Sequence, residues 1–459
     1  MKVPVLIPKI FNYPFTYIST LKSKLKEGDI VVVPFGKNLE IGVVWDKLHE
    51  TEKKIKFKEI QKRVENFSIN KSLIKFINWF SMYNLTSKGK VLKMCLGNEK
   101  NIVLIKDKIL SNKFSKKTIF NLNEEQKKVL SDLKNFGDKF SVSVLQGITG
   151  SGKTLVYFER IKELINNNKQ ALVLLPEIFL TNQFKERFLE YFGFEPDIWH
   201  SKITPKNKRI IWKGIIDNKI KLVIGARSSL LLPFKKLGLI VVDEEHDSSY
   251  KQDDGTIYNA RNMAISRASI ENIPIHLVTS IPSVETYNNI KNKKYRHTKI
   301  SERFNNFPLP ETKIVNLNIN KVKNKYIADE TIGFIKKFLT KKEQILFFIN
   351  RRGYAPFIIC KKCGYKNTCP DCSIYLTFHN SKNKAVCHHC GYEKNISRKC
   401  KNNKFCDFIM YGPGVEKIFE EIKKVFPDKI IKIFSSDFMK KKRRQKNYLK
   451  KLKKMKLIF

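Results

Sequence analysis

The sequence contains no run of ~18 apolar residues and no apolar h-region behind its N terminus, so neither membrane insertion nor secretion is signalled. A cytoplasmic protein with no membrane partner is the default. No internal repeat is evident, so stacked repeats are not the architecture. Cysteine is almost missing outside one segment. Eight of the nine lie between Cys360 and Cys406, and Cys95, alone, reads as a small core residue. In a cytosolic chain of this size a disulfide framework is not expected. Acidic residues are also scarce, 43 against 89 Lys and Arg, for a net charge of +46. Such an excess favours a polyanionic partner, nucleic acid first. The basic residues are mostly Lys in a chain crowded with Lys, Asn and Ile. Compositional drift therefore accounts for part of the charge, which supports nucleic acid without proving it.

The chain's 459 residues allow two to four domains, at the usual ~100–200 residues each. A hydrophobic content of 42% is enough to build cores.

One stretch carries more chemistry than any other: Gly147, Ile148, Thr149, Gly150, Ser151, Gly152, Lys153 and Thr154, which complete G-x-x-x-x-G-K-[ST]. An apolar run, 140–145, precedes it and reads as a buried strand; 155–161 begins a helix-like segment. Strand, Gly-rich turn and helix start make a phosphate cradle of inward N–H groups favoured by the helix dipole. Lys153 is placed to reach the β- and γ-phosphates of ATP or GTP, and the Thr154 hydroxyl to ligate Mg²⁺.

Further on, the apolar run 239–242 delivers Asp243, Glu244, Glu245 and His246. Here Asp243 would hold Mg²⁺ through water and Glu244 would position or deprotonate the attacking water. Glu245 and His246 could report nucleotide state. D-E-x-H marks superfamily 2 helicases rather than transporters or GTPases. The loops at Pro176-Glu177-Ile178 with Leu180-Thr181, and at 225–228 with Arg227 and Ser228, follow the next two strands. In a helicase such loops grip the sugar–phosphate backbone.

The cysteines form three C-x₂-C knuckles, Cys360/Cys363, Cys369/Cys372 and Cys387/Cys390, and a looser pair, Cys400/Cys406. Eight thiolates suffice for two tetrahedral structural Zn²⁺ sites; Fe–S ligation and uncommitted thiols are the alternatives. Gly364 and Gly391 each follow a knuckle, where a tight turn helps close the ligand loop. His388 and His389 read as DNA-facing or solvated.

Along the chain, residues 1 to about 65 hold short β-like runs punctuated by Pro and Gly, which predicts a small barrel. Leu73, Phe76, Ile77 and Phe80 follow helical spacing. The weakly patterned 98–121 reads as a linker. From 122 on, apolar runs at 142–145, 171–175, 222–224, 239–242 and 275–278 alternate with amphipathic stretches, predicting a parallel P-loop-type sheet. A third region opens with a strand at 344–350, is interrupted by the cysteines and resumes at 408–412. A helix over 415–425, a strand over 430–434 and a Lys-rich helix over 438–456 follow.

Together these segments resemble the bacterial primosomal replication-restart helicase family (primosomal protein N′, PriA). The matching segments are 32–37, 122–126, GITGSGKT, 175–178, His200-Ser201, 225–229, DEEHDSSYKQ (243–252), 258–261, 350–356, the cysteine cluster and 412–414. The resemblance covers nearly the whole chain. It implies an α/β superfamily 2 helicase with RecA-like P-loop lobes, a small N-terminal β-rich DNA-binding domain and a Cys-rich zinc insertion. The implied boundaries are 1–100 for the 3′-DNA-binding domain, 101–121 for a linker that has lost the winged helix, 122–310 for lobe 1, and 311–459 for a partial lobe 2 with the insertion at 360–406. It also implies ATP-dependent 3′→5′ unwinding at stalled forks and reloading of the replicative helicase. Implied cofactors are ATP, Mg²⁺ and two Zn²⁺, one on Cys360, Cys363, Cys400 and Cys406, the other on Cys369, Cys372, Cys387 and Cys390. Implied partners are forked or single-stranded DNA, primosome and replication-restart proteins, single-stranded DNA-binding protein and a replicative helicase loader. Gln126 joins the P-loop residues at the nucleotide. DNA contacts fall on Phe11, Asn12, Tyr13, Gly36, Lys37, Arg227, Ser228, Tyr250, Lys251, Tyr258, Arg261, Arg351 and Arg352.

Some positions depart from the family pattern. Asn12 replaces an Asp, 278–283 reads VTSIPS where the family has GSATPS, and Thr256-Ile257 replaces an aromatic–basic pair. Phe459 falls ahead of the family's arginine-finger element, so a C-terminally truncated chain is expected. Two other readings compete with a working helicase: a remnant that binds ATP, zinc and forked DNA without unwinding, and a zinc-stabilised scaffold that recruits primosome partners.

Overall fold

The computed structural model describes residues 1–48, 57–97, 121–176, 182–201, 203–303, 308, 310–316, 326–349, 357–360, 363–379, 384–395, 408–411 and 414–433. It divides into two compact units, Met1–Leu309 and Pro310–Phe459.

The first unit begins with five antiparallel strands, β1 (Lys2–Leu6), β2 (Phe15–Ile18), β3 (Asp29–Phe35), β4 (Asn38–Val44) and β5 (Lys62–Ser68), ordered β2-β1-β4-β3-β5. The outer strands curl toward each other. The Ile18 N–H donates to the Lys58 carbonyl at 3.0 Å and the Ile60 N–H to the Ile18 carbonyl at 2.9 Å, which closes the sheet into the small barrel that the punctuated β-runs predict. Strand alternation sorts the side chains. Val31 and Val33 join the barrel's own core, while Ile30 and Val32 face a second core shared with helix α1 (Lys71–Tyr83). Asn70 caps that helix, its Oδ1 accepting from the Leu73 N–H, and its Nδ2 donates to the Phe234 carbonyl. Leu73, Phe76, Ile77 and Phe80 are buried, as their spacing predicts. Helix α2 (Lys88–Leu96) follows, and the Trp212 indole donates to the Cys95 carbonyl, so barrel, helices and the next domain share one core.

That domain runs α3 (Glu124–Asn135), β6 (Val142–Gly147), α4 (Lys153–Asn166), β7 (Gln170–Leu174), α5 (Asn182–Phe192), β8 (Asp197–Trp199), α6 (Pro205–Ile216), β9 (Leu222–Gly225), β10 (Leu237–Asp243), the hairpin β11 (Lys251–Gln252) and β12 (Tyr258–Asn259), α7 (Ala260–Glu271), β13 (Ile275–Thr279), α8 (Val284–Lys291) and β14 (Arg296–Ile300). A seven-stranded parallel sheet results, ordered β14-β6-β13-β10-β7-β9-β8. Helices cover both faces, so the central strands are near-continuous apolar runs. The edge strands β8 and β14 were not foreseen. β14 is Arg-His-Thr-Lys-Ile, of which Thr298 and Ile300 are buried; one buried face leaves no apolar run to read.

The second unit holds α9 (Asp329–Thr340), β15 (Phe357–Cys360), β16 (Thr377–His379), β17 (Lys384–Val386), β18 (Glu393–Asn395), β19 (Phe408–Tyr411) and α10 (Val415–Val425). β15 pairs antiparallel with β19, and β16-β17-β18 form a small antiparallel sheet. The strands expected at 344–350 and 430–434 are corrected here. Their described residues, 344–349 and 430–433, enter no ladder. Phe347, Ile349 and Ile431 pack on the Ile418/Ile422 face of α10, while Leu346 and Phe348 are 79% and 84% exposed. A short apolar run fits a buried strand, but a strand also needs a neighbour's N–H and C=O groups. The expected linker 98–121 (apart from Asn121) and the helix at 438–456 lie outside the described residues. Among the described residues no helix is long and apolar enough to cross a membrane.

Candidate functional site

The nucleotide site grows out of β6. Its last residue, Gly147, opens a loop that turns into α4 at Lys153. The turn needs left-handed backbone at Gly150 and Gly152, with φ of 84° and 79°. At Gly152 a Cβ would also collide with Gln126 Nε2. Gln126 is buried on the first turn of α3. Its Oε1 accepts from the Asn123 N–H while Asn123 Oδ1 accepts from its own N–H, a capping box, and its Nε2 donates to the Ser151 carbonyl at 2.8 Å. The loop is thus tied to α3 through one amide. Lys153 Nζ curls back to the Gly147 carbonyl at 2.6 Å. Burial lowers its pKa, and the Glu244 and Asp243 carboxylates work the other way.

Asp243 ends β10, two strands from β6, and faces the same cavity. That cavity is about 460 Å³ and is lined by Thr149, Gly150, Lys153, Thr154, Asp243 and Glu244, with Arg187 and Glu190 of α5 at its side. Burial and then the Glu244 charge push the Asp243 carboxyl up to about 6, against the Tyr157 hydroxyl, which donates to Oδ2 at 2.9 Å. Glu244 stands in left-handed backbone, φ 49°, with its N–H donating to Asp243 Oδ1 at 3.0 Å. A non-glycine residue held there marks a turn fixed by its surroundings. The fixing is visible. The Tyr250 hydroxyl donates to the Asp243 carbonyl at 2.5 Å and to the Leu174 carbonyl at 2.9 Å. Glu245 is buried and accepts from Arg261, from the Ser283 N–H and hydroxyl, and from Thr286. His246 Nδ1 lies 2.8 Å from Thr279 Oγ1. The acidic turn is therefore clamped to the segment 279–286 that runs from the end of β13 into α8. Tyr157, Thr279, Ser283 and Thr286 were not singled out beforehand. The altered VTSIPS element carries Thr279 and Ser283; Thr286 lies three residues beyond it, and Tyr157 has no signal beyond its place one turn after Lys153.

These contacts correct part of the DNA-contact expectation. Tyr250, Tyr258 and Arg261 are 1%, 3% and 8% exposed. Tyr250 braces the acidic turn, Tyr258 stacks edge-on against Phe80 and Arg261 pairs with Glu245, so their aromatic and cationic groups are committed inside the unit. Arg227, Ser228 and Lys251 do gather at the surface beyond β9, where Arg227 donates to the Lys251 carbonyl at 2.7 Å. Arg351 and Arg352, and 177–181, lie outside the described residues.

On the barrel, Phe11 and Tyr13 belong to an aromatic cluster. Phe11 lies 4.9 Å from Phe15 and 5.6 Å from Phe35, ring to ring. Lys9 sits over Phe35, next to the β3–β4 turn that carries Gly36 and Lys37. Phe15, Phe35 and Lys9 extend the patch beyond what the sequence indicated. Asn12 is itself exposed, and its Oδ1 accepts from the Ser81 hydroxyl and the Lys88 N–H, each at 3.3 Å.

In the second unit Cys369, Cys372, Cys387 and Cys390 bring all four sulfurs within 4.8 Å of one another, with separations of 3.5, 3.4 and 3.8 Å among them. A Zn²⁺ tetrahedron with Zn–S of ~2.3 Å has edges of about 3.8 Å, so this set fits zinc. The three knuckles are built alike. In each, the first Cys donates its N–H to the carbonyl five residues on, and its own carbonyl accepts from the N–H four residues on: Cys360 with Tyr365 and Gly364, Cys369 with Ile374 and Ser373, Cys387 with Tyr392 and Gly391. The fourth position is left-handed each time, with φ of 69°, 59° and 83°. Two of these are the foreseen glycines; Ser373 fills the third. Cys360 and Cys363 thus have the zinc-knuckle backbone, while Cys400 and Cys406 lie outside the described residues. His388 faces His379, Nε2 to Nε2, at 2.9 Å.

Three family models match the chain. Residues 2–97 match the 3′ DNA-binding domain of PriA, 119–300 match a model described as the type III restriction enzyme res subunit, and 369–394 match the Cys-rich region of the PriA DNA helicase. Among curated proteins, the replication restart protein PriA of Rickettsia conorii is 41% identical over 95% of this chain and 67% of its own length. That of Rickettsia felis is 40% identical over the same shares, and that of Haemophilus influenzae is 38% identical over 72% of this chain and 45% of its own. With these matches falling on the barrel, the P-loop lobe and the zinc ribbon described above, the chain belongs to the PriA family of replication restart proteins.

Proposed function

We propose that this chain is the motor of an ATP-dependent DNA helicase that unwinds with 3′→5′ polarity during restart of stalled replication forks. The observation that carries this reading is the convergence of Lys153, Thr154, Asp243 and Glu244 on one cavity, in a chain whose barrel matches a 3′ DNA-binding domain. Lys153 would release its loop carbonyls to hold the β- and γ-phosphates, with the loop N–H groups and the start of α4 supplying the rest of the cradle. Thr154 and Asp243 would hold Mg²⁺, which neutralises charge on the transferring phosphoryl group. Glu244 would orient the attacking water. Through Glu245 and His246, a change at the acidic turn would reach 279–286, the route by which nucleotide state would bias the grip on DNA.

The aromatic patch around Phe11 and Tyr13, with Lys9 and Lys37, would take the 3′ end of a nascent strand by stacking and charge. Arg227, Ser228 and Lys251 would meet the backbone of forked or single-stranded DNA. The Cys369/Cys372/Cys387/Cys390 set would hold one structural Zn²⁺, and the shared knuckle geometry supports a second on Cys360, Cys363, Cys400 and Cys406. Single-stranded DNA-binding protein, primosome proteins and a replicative helicase loader would be the protein partners.

Strand displacement tests the reading. Duplexes with a single 3′ or 5′ tail are offered to the chain and to Lys153→Ala with ATP. The 3′-tailed duplex should be unwound by the first protein alone. Unwinding by both proteins, or of the 5′-tailed duplex only, would contradict it.

A further inference from the structure

The two sides of the P-loop face different neighbours. In the order β14-β6-β13-β10, the acidic turn follows β10 on one side of β6, and β14 flanks β6 on the other. The phosphate and cation end of a bound nucleotide would therefore lie toward β10, and its nucleoside end would lie on the side of β14 and the start of α3.

Arg303 stands on that side. The chain leaving β14 is pinned by Glu125 of α3, whose two carboxylate oxygens accept from the Ser301 and Glu302 N–H groups at 2.7 and 3.1 Å. The turn sends the Arg303 side chain back over the loop. Its Nε donates to the Thr149 carbonyl and its Nη1 to the Pro308 carbonyl, each at 3.0 Å. A side chain at Gly150 would bring its Cβ to 3.5 Å of Nε, so the guanidinium lies beside the tip of the loop. Two in-plane donors are taken by carbonyls, which fixes the plane of the group, and among the described residues no aromatic ring lies over its faces.

We propose that Arg303 is a nucleoside-contacting residue, its guanidinium forming the platform on which the purine ring of a bound nucleotide stacks. The proposal deepens the nucleotide reading above and rests on it. A guanidinium suits the task because it is planar, weakly hydrated and stacks on aromatic faces, which an ammonium does not do equally well. Stacking addresses the face of the base and not its edge, so the platform serves adenine and guanine alike.

Calorimetric titration of the full chain with Mg²⁺ and either ADP, GDP or inorganic tripolyphosphate tests this, in the wild type, Arg303→Ala and Arg303→Lys. In R303A the Kd for ADP and GDP should rise by about three- to thirtyfold, the range of a desolvated cation–π contact. R303K should recover little of it. Tripolyphosphate should bind all three proteins equally, because the phosphate cradle is intact. ADP affinity unchanged in R303A would overturn the proposal. So would a parallel loss of ADP and tripolyphosphate, which would make Arg303 a brace for the loop, and so would full recovery by lysine. A wild-type chain that binds neither ligand would sink the nucleotide reading itself and this proposal with it.

Discussion

Arg261 Nη1 lies 3.0 Å from Glu245 Oε2, and the Glu245 side chain has no exposed surface. A carboxylate taken wholly out of water is tolerable only with its charge matched and its lone pairs filled. Arg261, Ser283 and Thr286 supply both, which ties the third acidic residue of the turn to helices α7 and α8.

Removing one partner strands the other. Arg261→Ala should destabilise the chain by roughly 3–5 kcal/mol, as breaking a buried pair does. The double variant Arg261→Ala/Glu245→Gln should lose less than the sum of the single changes. Urea unfolding of the three variants checks this, and strict additivity would contradict the pairing.

Asp243 gives a pH dependence. Its carboxyl is held at about 6, raised from the ordinary 3.8 by burial and the Glu244 charge. A raised acid favours the protonated native state. Its contribution to stability is therefore present at acid pH and is lost as pH rises through about 6. Function runs the other way, because only the carboxylate holds a cation. Mg²⁺-dependent turnover should fall as pH drops through about 6. Tyr157→Phe removes the hydrogen bond that opposes the rise, so the acid limb of the pH–rate profile should move to higher pH. A limb that stays put or moves down would contradict the assignment.

Zinc should track the ribbon. Cys387→Ser breaks the one sulfur set that is fully described and should lower the bound zinc by one equivalent, measured by chromophoric chelation after unfolding. Loss of the β16-β17-β18 sheet should accompany it, since small metal sites supply folding energy to their own module. Unchanged zinc content would contradict the ligand set.

The aromatic patch on the barrel should matter for DNA ends. Tyr13 is 39% exposed beside Phe11 and Phe15. Tyr13→Ala should weaken binding of 3′-ended single strands by about 1–3 kcal/mol, the value of one stacked base. Fluorescence anisotropy with a strand whose 3′ end is free, against one whose 3′ end is blocked, checks it. An equal effect on both strands would make the patch a nonspecific one.

What the sequence disclosed follows from how local each signal is. The P-loop and the acidic turn are legible because the chemistry fixes spacing along the chain: Gly150 and Gly152 must take left-handed backbone, and Asp243 must end a buried strand. The buried strands β6, β7, β9, β10 and β13 were legible for the same kind of reason, as runs apolar on both faces. Burial of polar groups is a tertiary fact and was not legible. Tyr250, Tyr258 and Arg261 look like loop residues free for DNA, yet they face inward because α1, α7 and the acidic turn close over them. Edge strands escaped because one exposed face erases the apolar run, as in β14. The opposite error fell on 344–349, where an apolar run is present without a ladder to join. Ser373 shows a milder gap. Its left-handed turn is dictated by the knuckle and not by a glycine.

If Lys153 and the Asp243–Glu244 pair form one hydrolytic site answering to DNA, steady-state ATP turnover by the purified chain should rise on adding forked DNA and should be abolished in Lys153→Ala. Turnover that is absent, indifferent to DNA, or equal in Lys153→Ala would contradict it.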